Sequence, residues 1–232
     1  MSRHWISAAA ILFLFAVSLA APTQARPSLP TTWDNLVKVD SKKMAGVYVL
    51  PGADFRPYTK VMLDPTEVAF KKDWQRDYNN TTRGLNQRIT NNDVEKMLET
   101  ARDGFTDILT KAFQDAGYQI VTTPGDDVLR VKTAVINLDV NAPDTMSAGR
   151  VTSYSEEAGS ATVVFEAHDS MTGAILGRAV DSRVAGDMSR MFIRNRATNI
   201  NDFKKLFRNW AEASTRGLAT LKAMSPVSVA VK

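Results

Sequence analysis

His168 is the one histidine beyond the extreme N-terminus, and it stands between Glu166 and Asp169. If this segment is a strand, alternation puts Glu166 and His168 on one face, near enough to share a proton or a metal ion. A metal site needs about three protein ligands. The chain has only one other histidine, His4, and no cysteine, so carboxylates would have to complete the set. A structural histidine is the stronger reading. Asp54, Asp64 and Asp181 could form a paired acid site of the glycosidase kind. Nothing in their spacing brings them together, however, and Asp before Pro or near a turn more commonly caps the local backbone. Ser170 lacks the GxSxG context of an activated serine, and neither the Walker nor the Rossmann glycine pattern occurs. With no cysteine there can be no disulfide, thiolate nucleophile or zinc–thiolate site. These residues predict no enzyme, no cofactor and no metal centre.

Charge supplies the one asymmetry. Arg183, Arg190, Arg194, Arg196, Lys204, Lys205 and Arg208 face only Asp187 and Asp202 across the same stretch, with Met188, Met191, Phe192 and Ile193 interleaved. A solvated basic face is the plain reading. The sharper one is a surface for an anionic lipid, a glycan or an acidic protein, carried by Arg190, Arg194, Arg196, Lys204, Lys205 and Arg208. The formal net charge of +4 permits such partners without demanding them. Nucleic acid is not expected, because the N-terminus points to export. Arg3 opens a positive region, Ala8 to Leu19 is apolar, and Ala21-Pro22-Thr23-Gln24-Ala25 places small residues where a signal peptidase reads them. Residues 1–25 are therefore predicted to be a cleaved signal peptide.

The elements that would position these groups follow from periodicity. Ala161 to Arg183 reads as a central β-hairpin, with Val163, Phe165 and Ala167 at period two and a turn at Asp169-Ser170-Met171-Thr172-Gly173. Residues 92–116 predict a long helix, its stripe running from Val94 through Phe105 and Leu109 to Phe113, with Asn92 and Glu95 as capping box and Gly117 as stop. A second helix is predicted over 199–223, weakened at Gly217. Lys60 to Phe70 reads as a strand interrupted at Asp64-Pro65. Val128 to Val140 is another, with either burial on both faces or a bulge where it turns continuously apolar at 134–136. Residues 71–90 read as a surface loop. The resulting organisation is a Pro-rich linker over 26–42, one α+β domain over 43–224, and a frayed tail over 225–232. The expected fold is a two-layer sandwich, a mostly antiparallel sheet with two helices packed on one face.

Three stretches carry a resemblance. The first runs from Val47-Tyr48-Val49 through Pro51-Gly52-Ala53-Asp54-Phe55 to Tyr58 and Val61-Met62-Leu63-Asp64-Pro65. The second joins Ala116-Gly117-Tyr118 to Pro124-Gly125 and Leu129-Arg130-Val131, and the third joins Asp169-Ser170, Thr172-Gly173 and Leu176 to Asp181, Arg183 and Trp210-Ala211. Together they resemble the bacterial envelope proteins and lipoproteins grouped as domain of unknown function thirty-three-thirteen. The resemblance spans roughly 43–221 and implies an envelope protein, with no catalytic residues to carry over. Many members bear a lipobox cysteine, which this chain lacks. The expected function is that of an exported periplasmic module that binds or assembles with an envelope protein or an anionic envelope surface, with peripheral membrane contact. The alternative is a carboxylate-dependent envelope hydrolase.

Overall fold

The computed structural model describes residues 29–82, 88–141, 153–155, 157–186, 192–194 and 196–228. The predicted signal peptide lies outside these residues. Among the described residues, eleven strands and three helices follow one another as β1 (Thr32–Trp33), β2 (Leu36–Val39), β3 (Gly46–Val49), β4 (Lys60–Leu63), β5 (Glu67–Phe70), α1 (Trp74–Thr81), α2 (Asn91–Asp115), β6 (Gln119–Ile120), β7 (Val128–Val140), β8 (Ser153–Ser155), β9 (Gly159–Asp169), β10 (Ile175–Ala185), β11 (Phe192–Arg194) and α3 (Arg196–Ala223). Nine strands form one sheet in the order β1-β2-β3-β10-β9-β7-β4-β6, with β5 also on β7, and β8 pairs with β11 separately. From β1 to β7 every pairing is antiparallel. Beyond β7 the pairings with β4 and β5 are parallel, as is β4 with β6. Parallel neighbours need a crossover, and α2 supplies it between β5 and β7.

The architecture is the α+β sandwich read from the sequence, with a sheet that is mixed at one end and a third, short helix. The predicted hairpin is present, β9 against β10, with Phe165 opposite Ala179. The cap of helix α2 stands two residues before the predicted Asn92. Thr90 is the cap: its hydroxyl accepts from the Asp93 amide while the Asp93 carboxylate accepts from the Thr90 amide. The shorter Asp closes this box before Asn92 and Glu95 can form theirs. Gly117 stops the helix with φ of 89°, as expected. On β7 the continuous apolar run ends in a bulge between Ile136 and Asp139, where Asn137 takes a φ of 51°.

Three expectations are corrected. The described part of 26–42 is not a linker, because it holds β1 and β2 and buries Leu36 completely. Residues 225–228 are not frayed: Val227 is 1% exposed, its amide donates to the Ala53 carbonyl and its carbonyl accepts from the Gly52 amide. Within 71–90 lies α1, held by Trp74 stacked on Phe70 with ring centroids 3.9 Å apart.

Helices α2 and α3 cover the same sheet face. Val61, Leu129, Val131, Val135, Val163 and Phe165 meet Phe105, Leu109 and Phe113 of α2 and Leu206, Phe207 and Trp210 of α3 in one core. Phe105 joins all three layers, with its ring 5.1 Å from Phe207 and 6.1 Å from Phe165. Arg178, Glu166 and His168 fall on the opposite sheet face.

Candidate functional site

The carboxylates singled out in the sequence do not converge. Asp54 binds the Arg56 guanidinium at 2.6 Å, and that hydrogen bond holds its carboxyl below the ordinary value. Asp64 takes Arg130 through both oxygens, at 2.9 and 3.0 Å. Asp181 is buried on the helix side, where it accepts from Trp210 Nε1 at 2.8 Å, Arg183 Nε at 2.6 Å and the Ala45 amide at 3.1 Å. Asp64 does share a shallow hollow of about 450 Å³ with Asp103 and Asp107, but Arg130 already occupies its charge. Among the described residues no three of His, Asp and Glu stand close enough to hold a metal ion.

Glu166 and His168 do share a face, as alternation requires, and they meet at 3.0 Å. The other imidazole nitrogen, Nδ1, lies 3.1 Å from the Gly173 carbonyl. Arg178 then bonds Glu166 at 2.7 Å and Asp34 at 2.7 Å while lying 4.3 Å over the Trp33 ring. Burial opposes the charge on Glu166, yet the bonds from His168 and Arg178 outweigh it and hold the carboxyl below its ordinary value. This chain of hydrogen bonds and Arg178 ion pairs ties β1–β2 to the central hairpin. His168 is 8% exposed and engaged at both nitrogens, as a structural histidine should be.

The predicted basic surface is described in part. Arg190 lies outside the described residues. The backbones of Arg194 on β11 and Arg196 at the start of α3 are described, and their side chains are not. Lys204, Lys205 and Arg208 are exposed on α3. Arg216 continues that exposed face two turns further on, paired with Glu212 at 3.1 Å.

A concave feature lies beside this face, under the second half of α3. A cavity of about 700 Å³ opens between α3 and the β2–β3–β10 portion of the sheet. Its sheet wall is Val39, Val47, Gly177 and Ala179, and its helix wall includes Ala213, Gly217, Leu218 and Leu221. The space exists because small residues meet there. A methyl group added at Gly217 would touch nothing within 4 Å. Phe55, Phe113 and Phe165 are buried and close the deep end. Met224, 57% exposed, borders the opening, and Lys42, Lys43 and Arg216 stand exposed at the mouth. Apolar walls with a few charges at one end can hold a ligand and orient it.

The segments that carried the resemblance now have a structural account. Asp181, Arg183 and Trp210 form one clasp, Asp64 and Arg130 a second, and the Tyr58 hydroxyl donates to Asp169 at 2.8 Å as a third. A family profile described as "Protein of unknown function (DUF3313)" matches residues 29–214. The chain belongs to this family. A search of curated proteins finds no match. Among solved structures, the DUF3313 chain is similar to protein XCC0632 from Xanthomonas campestris, at 13% identity and a TM-score of 0.43, covering 76% of this chain and 91% of that one. It is also similar to a minor lipoprotein from Acinetobacter baumannii, at 12% identity and a TM-score of 0.36, covering 70% and 94%. The PelC dodecamer from Paraburkholderia phytofirmans gives 12% identity and a TM-score of 0.36, covering 72% and 95%. The cleft of this DUF3313 member escaped sequence reasoning. Its only trace there was Gly217, a helix-weakening residue inside an otherwise apolar stripe.

Proposed function

We propose that this DUF3313 protein is exported to the bacterial cell envelope and works there as a binding module, holding an apolar ligand in the cleft under α3. The cleft itself supports the reading: at about 700 Å³ it is ligand-sized, its walls are apolar, and small residues keep it open. The basic face of α3, with Lys204, Lys205 and Arg208 exposed and Arg190, Arg194 and Arg196 near its start in sequence, would bring that cleft to an anionic envelope surface or an acidic envelope partner. A carboxylate-dependent hydrolase would need two acids facing one space. None of Asp54, Asp64 and Asp181 lines the cleft, and of the two acids that do, Asp40 and Glu166, the second is held by His168 and Arg178.

Titration with the apolar dye Nile red tests the reading. Saturable fluorescence enhancement is expected for wild type. It should be lost in Gly217→Trp, which places an indole where a Cβ meets open space, with the melting transition intact to show that the fold survives. A dye response equal in the two proteins, or none in wild type, would remove the cleft from consideration.

A further inference from the structure

Resting on that reading, we propose that the cleft selects a long-chain amphiphile with an anionic head, a fatty-acyl carboxylate, its chain in the cavity and its head at Lys42 and Lys43. The two ends of the cavity differ in kind. The deep end is closed by buried Phe55, Phe113 and Phe165, which can meet only hydrocarbon. At the mouth the lining charges are Lys42, Lys43 and Arg216 against Asp40. Glu166 also borders the cavity, but its carboxylate is held on the opposite sheet face by His168 and Arg178. Arg216 is already paired with Glu212, which leaves the lysine pair as the cationic feature of the rim.

Those lysines are not on a loose loop. The Ser41 hydroxyl accepts from the Lys43 and Met44 amides at 3.2 Å each. Arg183 Nη2 donates to the Lys43 carbonyl at 2.5 Å, and the Ala45 amide donates to Asp181. The Asp181–Arg183–Trp210 clasp thus fixes the lysine loop to β10 and to α3, the two walls of the cavity. A pair of lysines on an anchored backbone at the open end of an apolar slot complements an anionic head on a single chain. Neutral and cationic chains would lose that contact or be repelled.

The test uses the fluorescent fatty acid cis-parinaric acid with purified protein at low salt, below micellar concentrations. Wild type should bind it saturably. Palmitate should displace it about tenfold more effectively than hexadecanol, and hexadecylamine should displace it least. The Lys42→Gln, Lys43→Gln double variant should bind the probe about tenfold more weakly while keeping its response to Nile red, and rising salt should narrow the gap between the two proteins. If the double variant binds parinarate as tightly as wild type, or hexadecylamine competes as well as palmitate, the head-group assignment falls while the cleft reading stands. If folded wild type binds neither parinarate nor Nile red, both fall together.

Discussion

Asp181 shows how a carboxylate that looks reactive in sequence can be wholly occupied by structure. Its three donors come from α3, from β10 and from the loop before β3, so one buried charge joins three elements. Replacing it by Asn keeps the shape but strands Arg183 and mispairs a donor, which should cost about 3 kcal/mol. Urea melts with an unchanged m-value would show this, and a loss under about 1 kcal/mol would mean the clasp is ornamental. Depressed carboxyls shape the acid response, Asp169 and Glu166 among them. In Asp169 the Thr172 amide, with burial opposing and the Thr172 and Tyr58 hydroxyls assisting, holds the carboxyl below its ordinary value. Glu166 is depressed as well. A depressed carboxyl contributes stability that is complete above the unfolded-state value and lost as pH falls through the folded one. Stability should therefore be level near neutrality and decline below about pH 4. Tyr58→Phe removes one donor to Asp169 and should flatten that decline. An equally steep acid limb in the variant would put the dependence elsewhere.

At the scale of elements, Phe105 and Gly217 make opposite predictions. Phe105 is fully buried between sheet and α3, so Phe105→Ala should cost about 3–5 kcal/mol. Gly217→Ala meets open space and should add about 0.5–1 kcal/mol through helix propensity alone. Denaturant melts of the two variants would decide whether the stripe and the cleft have been placed on the right sides of their helices. The long elements were legible because their periodicity is self-contained: α2, α3, β7 and the central hairpin each repeat their pattern over many residues. The short ones were not. Leu36-Val37-Lys38-Val39 is too brief to show a period, and its burial comes from β3, which in turn leans on β10. The Asn-rich α1 has weak intrinsic propensity and is fixed by the Phe70–Trp74 stack, a contact between the end of β5 and the first residue of α1 that neither a strand nor a helix period announces. The cleft was hidden for a related reason. Lys42 read as the last residue of a linker and Lys43 as the first of the domain, and only the Asp181 clasp places them beside α3.

Across the whole molecule the chain closes on itself. Val227 bridges Gly52 and Ala53 through two backbone bonds and buries its side chain. Deleting residues 226–232 should therefore lower stability by about 2 kcal/mol, the scale of one buried Val with its hydrogen bonds, as thermal melts of the shortened chain would report. A no-change result would return this segment to the status of a tail. The same long-range closure has a consequence in time. Strand β3 pairs locally with β2 but finds its other neighbour only in β10, Val47 opposite Ala179 and Val49 opposite Gly177, so the first strands of the chain have nothing to join them to the rest of the sheet until most of the sequence has arrived. Loop-closure entropy must be met before those contacts return anything, which puts folding on the slow, millisecond-to-second side of small-domain kinetics. A chain emerging N-terminus first would remain threadable for most of its length, and would lock only when its last third is delivered.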